Sequence, residues 1–216
     1  MSEQETTNEH RNDAERQREL KKQWRKAAIA RRKTTSAEER LSAGRGLAEQ
    51  ARLAGLIRPH ATVAAFTSMG SEMSMTPLLE ALLDDDCTVL VPRLGSGMQI
   101  GWSELENMAS LRNLHNSDGS ENTRRPQEPC NDASGPEMLE SADIIIVPAF
   151  SVDEHGFRLG RGGGWYDRAL EYRKTGALVV AVCWPWEPTD GTVPHEAHDV
   201  PVDGVLTPEG YAPIRR

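Results

Sequence analysis

Between Arg158 and Arg168 the chain reads Arg-Leu-Gly-Arg-Gly-Gly-Gly-Trp-Tyr-Asp-Arg, with four glycines in five positions and charged groups on both sides. Glycine lacks a Cβ, so such a run can turn successive amides toward one point and let an anion approach the bare backbone. Trp165 to Tyr172 contains no helix breaker, which predicts a helix opening directly after the run. The amides of that first turn would add partial positive charge. The chemistry this pattern suits is the holding of a phosphate, with Arg158, Arg161 and Arg168 as counter-charges. A flexible surface turn is the competing reading, since glycine is common in turns, but a plain turn does not require the flanking arginines.

Two familiar phosphate motifs are excluded. No Gly-Lys-Ser/Thr follows the run, so it is not the loop of the common nucleotide hydrolases. The spacing Gly160-x-Gly162-x-Gly164 also differs from a dinucleotide-binding fingerprint. Elsewhere, His195 and His198 stand three apart without a cluster of further ligands, and read as loop histidines rather than a zinc site.

With 25 basic and 33 acidic side chains among 216 residues, the formal net charge is −8. A general nucleic-acid binder would carry the opposite sign. The three cysteines, Cys87, Cys130 and Cys183, are far apart and form no Cys-x-x-Cys pair, which argues against a disulfide framework or zinc ribbon. The N-terminal stretch lacks the apolar core of a signal peptide, and no run nears the roughly 18 apolar residues of a membrane span. A cytoplasmic protein with neither membrane nor nucleic-acid partner is expected.

Residues 1–17 hold little that is apolar and are expected to be a disordered extension, leaving residues 18–216 as one α/β domain. A strongly basic helix is expected from near Arg18, with Leu20, Trp24 and Ala28 on one face. Ser36 and Glu39 have the spacing of a capping box, opening a second helix. Strands are expected at Ala61–Thr67, Thr88–Val91, Ile144–Val147, Leu178–Val182 and Gly204–Leu206, with a helix starting at Thr76-Pro77. Strands alternating with helices predict a three-layer α/β/α fold around a mostly parallel sheet, with ligands gathering at the carboxyl ends of the strands. Residues 108–136, rich in Asn, Ser, Asp, Gly and Pro, read as a long loop.

The stretch Val147 to Arg168 resembles the signature of the 5-formyltetrahydrofolate cyclo-ligase (methenyltetrahydrofolate synthetase) family. His198-Asp-Val-Pro-Val-Asp203 is similar to that family's C-terminal aspartate motif, and Lys21-Lys-Gln-Trp-Arg25 to its basic N-terminal segment. The resemblance implies ATP- and Mg²⁺-dependent closure of 5-formyltetrahydrofolate to 5,10-methenyltetrahydrofolate by phosphorylation of the formyl oxygen. It implies a small-molecule substrate, and a monomer is expected.

By the same resemblance, ATP would be held by Lys21, Lys22 and Arg25 together with Arg158, Leu159, Gly160, Arg161, Gly162, Gly163, Gly164, Trp165 and Tyr166. Arg161 and Tyr166 would be catalytic. Asp167 and Asp199 would carry Mg²⁺, although Asp167 could equally stabilise its helix start and Asp199 be a solvated loop carboxylate. Folate would meet Phe66, Met69, Glu72, Ser74 and Trp165. Ser74 stands where the family has a second acid, and Trp165 where a tyrosine is usual. Trp102 could close the pocket or pack in the core. A non-catalytic folate or nucleotide binder, or another ATP-using transferase on the same loop, are the competing functions.

Overall fold

The computed structural model describes residues 3–94, 99–116, 118–122, 125–196 and 198–215. It opens with α1 (Glu3–Arg32) and α2 (Ala37–Leu53), followed by β1 (Thr62–Ala64), α3 (Thr76–Asp84), β2 (Thr88–Arg93) and β3 (Gly101–Glu104). Two short strands, β4 (Leu111–Arg112) and β5 (Glu128–Pro129), pair antiparallel, and β6 (Ile144–Pro148) follows. A hairpin of β7 (Ser151–Val152) and β8 (Arg158–Leu159) leads into α4 (Trp165–Leu170), then β9 (Leu178–Val182), β10 (Gly204–Thr207) and β11 (Gly210–Pro213).

Seven of these strands form one sheet in the order β11-β10-β9-β6-β1-β2-β3. The five inner strands run parallel, and β3 and β11 pair antiparallel at the two edges. The sheet is therefore the mostly parallel one expected, flanked by helices on both faces within a single domain. Alternation along β6 divides the core. Ile144 and Ile146 face α2 and α3 with Leu47, Leu78 and Leu82, whereas Ile145 and Val147 face Leu139, Ala169 and Leu170 on the other side. Both faces are covered, which is why β6 and β9 read as continuous apolar runs.

Two short carboxylates align this sheet at its lower end. Asp143 accepts from the Thr62 amide at 2.9 Å and Asp203 from the Val179 amide at 2.8 Å, so each takes a backbone donor of the neighbouring strand. Asp203, the last residue of the C-terminal aspartate motif, is thus part of the sheet's framework.

Helix α2 starts where its capping box predicts. Ser36 Oγ accepts from the Glu39 amide at 3.1 Å, and Glu39 accepts from the Ser36 amide at 2.6 Å. Helix α1, in contrast, begins at Glu3 rather than near Arg18, so it runs through residues expected to form a disordered extension; Met1 and Ser2 lie outside the described residues. The segment has no glycine or proline and carries four Glu, two Gln and two Arg. Extending an already nucleated helix through such residues costs little.

The antiparallel edges were not legible in the sequence. β3, Gly-Trp-Ser-Glu, has no run of β-branched residues to mark it, and β11 ends in proline, a residue sheets accept only at their edges.

Candidate active site

The chain leaves β1 in one direction to form β2 and returns on β1's other side as β6. Open α/β sheets bind ligands at such a reversal, beyond the carboxyl ends of the strands. A cavity of about 470 Å³ lies there. Phe66, Thr67, Met69 and Glu72 line it from the segment after β1, Pro92 and Leu94 from the end of β2, and Pro148 from the end of β6. The loop from β8 into α4 supplies Arg158 through Asp167, the α1 helix Arg18, Lys21 and Arg25, and the segment before β10 Glu196, His198 and Asp199.

The glycine run is shaped as a cradle. Gly162 (φ +96°) and Gly164 (φ +61°) take left-handed conformations that other residues adopt only under strain. A Cβ on Gly160 or Gly163 would meet no heavy atom within 4 Å, so their backbone is open to a ligand. Below the run, the Asp153 carboxylate accepts from the His155, Phe157 and Val193 amides at 2.9–3.0 Å and fixes the turn that leads into β8.

Helix α1 lies against this loop. Trp24, Ala28 and Ile29 pack on Phe150, Leu159 and Val193, and Arg25 Nε donates to the Gly160 carbonyl at 2.8 Å. Residues 18, 21 and 25 fall on one helical face, at spacings of three and four. That periodicity was the signal that could have found Arg18. Lys22 is on another face, 77% exposed, and pairs with Glu19 at 3.5 Å. It does not join the cavity, as its expected role in holding ATP would require, because a step of one residue rotates a side chain by about 100°.

Five cations and four carboxylates line the cavity. Lys21 Nζ lies 3.1 Å from Asp199 and 3.4 Å from Glu196; Arg158 lies 2.7 Å from Asp167, and Arg161 2.8 Å from Glu72. Burial works against the Asp199 charge, but the Glu196 amide and Lys21 outweigh it and hold the carboxyl below its usual range. Burial lowers the Arg25 guanidinium, and nearby Asp199 partly restores it. Tyr166 keeps some solvent access through the cavity. Even so, the surrounding protein and then the charge of Glu72 push its phenol well above the ordinary value. It is a hydrogen-bond donor at neutral pH.

The aromatic wall has a clear order. Trp165 faces the cavity, lies edge-on to Tyr166 at 4.9 Å and donates to the Gln99 carbonyl at 3.1 Å. Behind it, 5.3 Å between ring centres, Trp102 is fully buried and belongs to the core. His195 stacks on Phe157 at 3.6 Å, and His198 lies 3.8 Å from Asp199.

The residues expected to bind folate separate. Phe66, Met69, Glu72 and Trp165 line the main cavity, whereas Ser74 lines a second one of about 290 Å³ beside α2. Ser74 is turned away because its amide donates to the Arg40 carbonyl at 3.0 Å and its own carbonyl packs against Gly44. Thr67 and Glu72 border both cavities.

One pair escaped sequence reasoning. Arg32, in the last turn of α1, makes two 2.7 Å hydrogen bonds to Glu187, donates to the Ala149 carbonyl and lies over Phe150. Both partners are almost fully buried. Burial pushes Glu187 up, and Arg32 opposes it. Nothing in a lone Arg and Glu 155 residues apart marks them as partners.

As for a metal, no group of three or more His, Cys, Asp or Glu side chains with metal-ligand geometry occurs among the described residues. Asp167 and Asp199 do reach the cavity wall, each with a cation against one oxygen. That donor set fits Mg²⁺, which commonly takes one or two carboxylates and completes its shell with phosphate oxygens and water.

The sequence profile of the 5-formyltetrahydrofolate cyclo-ligase family matches residues 17–208. The chain belongs to this family. The 5-formyltetrahydrofolate cyclo-ligase of Mycolicibacterium smegmatis is 34% identical over 194 residues, covering 88% of this chain and 94% of that one. The Escherichia coli K12 protein of the same name is 31% identical over 151 residues, 68% of this chain and 78% of its own. Among solved structures, the Aquifex aeolicus 5,10-methenyltetrahydrofolate synthetase superposes with a TM-score of 0.72 at 27% identity, covering 91% of this chain and 94% of that one. The profile match begins at residue 17, so the first part of α1 lies outside it.

Proposed function

We propose that this protein closes 5-formyltetrahydrofolate to 5,10-methenyltetrahydrofolate at the expense of ATP, with Mg²⁺. The observation that carries this reading is the open backbone at Gly160 and Gly163, set between Arg158 and Arg161 and faced by Lys21 and Arg25 from α1.

A formamide carbon is a weak electrophile and its oxygen a poor leaving group. Attack of the formyl oxygen on the terminal phosphorus forms an O–P bond, breaks the bond to ADP and leaves an imidate phosphate. The neighbouring N10 amine then adds to the activated carbon and loses its proton, and phosphate departs with the C–O bond. Such chemistry asks the protein for positioning and charge neutralisation. The glycine-loop amides and Arg158 hold the phosphates, Lys21 and Arg25 cover them, and Arg161 meets the oxygens of the transferring group. Tyr166, a protonated phenol, donates within the same space. On the other side, Phe66, Met69 and Trp165 enclose the pterin ring, while Glu72 accepts from its N–H donors. Asp167 and Asp199 would hold Mg²⁺, whose chemistry is to offset phosphate charge.

The test is a mixture of protein, Mg²⁺, ATP and 5-formyltetrahydrofolate, followed by near-ultraviolet absorbance. Growth of the methenyl band that requires ATP is expected. Folded protein that produced no band would reject the proposal.

A further inference from the structure

Glu72 is almost fully committed before any ligand arrives. Its Oε2 accepts from the Met69 amide at 2.9 Å, and its Oε1 accepts from Arg161 twice, from Nη2 at 2.8 Å and Nε at 3.3 Å. The carboxylate side chain is 7% exposed and the guanidinium side chain 46%. One partner is therefore fixed in the wall after β1, and the other stands in the cavity mouth on the glycine loop. Tyr166, which lines the same cavity from the start of α4, feels the charge of Glu72, Arg158 and Arg161 together. Arg161's neighbours in the chain are both glycines, so it can be reoriented at small backbone cost.

Resting on the ligase reading above, we propose that Glu72 is a positioning residue that withholds Arg161 from the nucleotide until the pterin ring competes for the same carboxylate. The pterin offers N–H donors to Oε1, the atom Arg161 now occupies. Once it is displaced, the nearest strong acceptor for the guanidinium is a phosphate oxygen, which it can meet with two parallel bonds. A nucleotide that captures Arg161 first leaves Glu72 open for the folate. Each ligand thus strengthens the other by the same factor, as linkage requires. Without folate, ATP must itself break the Glu72–Arg161 pair and so binds less tightly.

The experiment is calorimetric titration of a Mg²⁺-bound, non-hydrolysable ATP analogue, with and without saturating 5-formyltetrahydrofolate. In the wild type, folate should tighten the analogue by about fivefold or more, the usual lower range of coupling between sites. Glu72→Gln removes Arg161's ionic partner, so it should bind the analogue several-fold tighter without folate and gain little when folate is added. A double-mutant cycle separates this from a general loss of negative charge. In an Arg161→Gln background the gain from Glu72→Gln should vanish. Arg161→Gln alone, on a half-exposed side chain, should abolish the folate effect. An analogue no tighter on Glu72→Gln, a gain that survives Arg161→Gln, or coupling that persists in Arg161→Gln would each overturn the inference while leaving the ligase reading intact. A wild type that bound no nucleotide analogue at all would overturn both.

Discussion

Gly162 and Gly163 are adjacent, yet the same methyl group would act on them in opposite ways. At Gly163 it would project into the cavity without touching protein and without a left-handed backbone to strain. Gly163→Ala should therefore keep or slightly raise stability, by up to about 1 kcal/mol through the unfolded chain. Its KM for ATP should rise at least about tenfold, as expected when a phosphate loses its close approach to the backbone. At Gly162 the residue takes φ +96°, and a Cβ would stand 3.1 Å from Arg25 Cζ. Gly162→Ala should lower stability by more than about 1 kcal/mol. Urea unfolding and steady-state kinetics on the two variants check the contrast; an unchanged KM in Gly163→Ala would mean the loop does not hold the nucleotide. The glycine run was legible because its chemistry is written in consecutive residues. Ser74 was not, because its side-chain direction depends on Arg40 of α2 receiving its amide, a contact across 34 positions that the local sequence does not announce.

At the scale of elements, what could be read was what is periodic or capped. β6 and β9 are apolar throughout because both faces are covered, and α2 begins on a visible capping box. The edge strands β3 and β11 lack both signals: their ladders are set by β2 and β10, not by their own composition. The docking of α1 was half legible. Trp24 and Ala28 mark its buried face, but the anchor at its far end is the Arg32–Glu187 pair, invisible to any local pattern. That anchor predicts the cost of breaking it. Glu187→Gln leaves the Arg32 guanidinium buried without its counter-charge, and removing one partner of a buried pair typically costs about 3–5 kcal/mol. The loss should be concentrated in α1, with its amides exchanging faster than those of β6 and β9. Because Lys21 and Arg25 ride on α1, the KM for ATP should rise as well. Uniform loss of protection across the sheet would argue that the pair supports the whole domain and not this helix.

The whole molecule carries a net negative charge, yet its cavity gathers five cations against four carboxylates. The fold achieves this by bringing α1, the glycine loop and the segment before β10 to one point. Lys21–Asp199 joins the first and last of these, alongside Lys21–Glu196, and Asp199 also receives the Glu196 amide at 2.8 Å. These partners depress the Asp199 carboxyl in the folded protein relative to about 4 in an unfolded chain. A depressed carboxylate stabilises the fold above its unfolded value, and that contribution disappears as pH falls through the lower, folded value. Asp199→Asn should accordingly melt at a lower temperature than wild type at pH 7, and the two melting curves should converge as pH drops from about 5 toward 2. Neither protein should be insensitive to acid, since Asp143, bonded to Lys174 and the Thr62 amide, is depressed in the same direction in both. Thermal melts at half-unit pH steps measure this directly. Parallel curves, with the same gap at pH 3 as at pH 7, would show that the Asp199 charge does not help close α1 over the cavity.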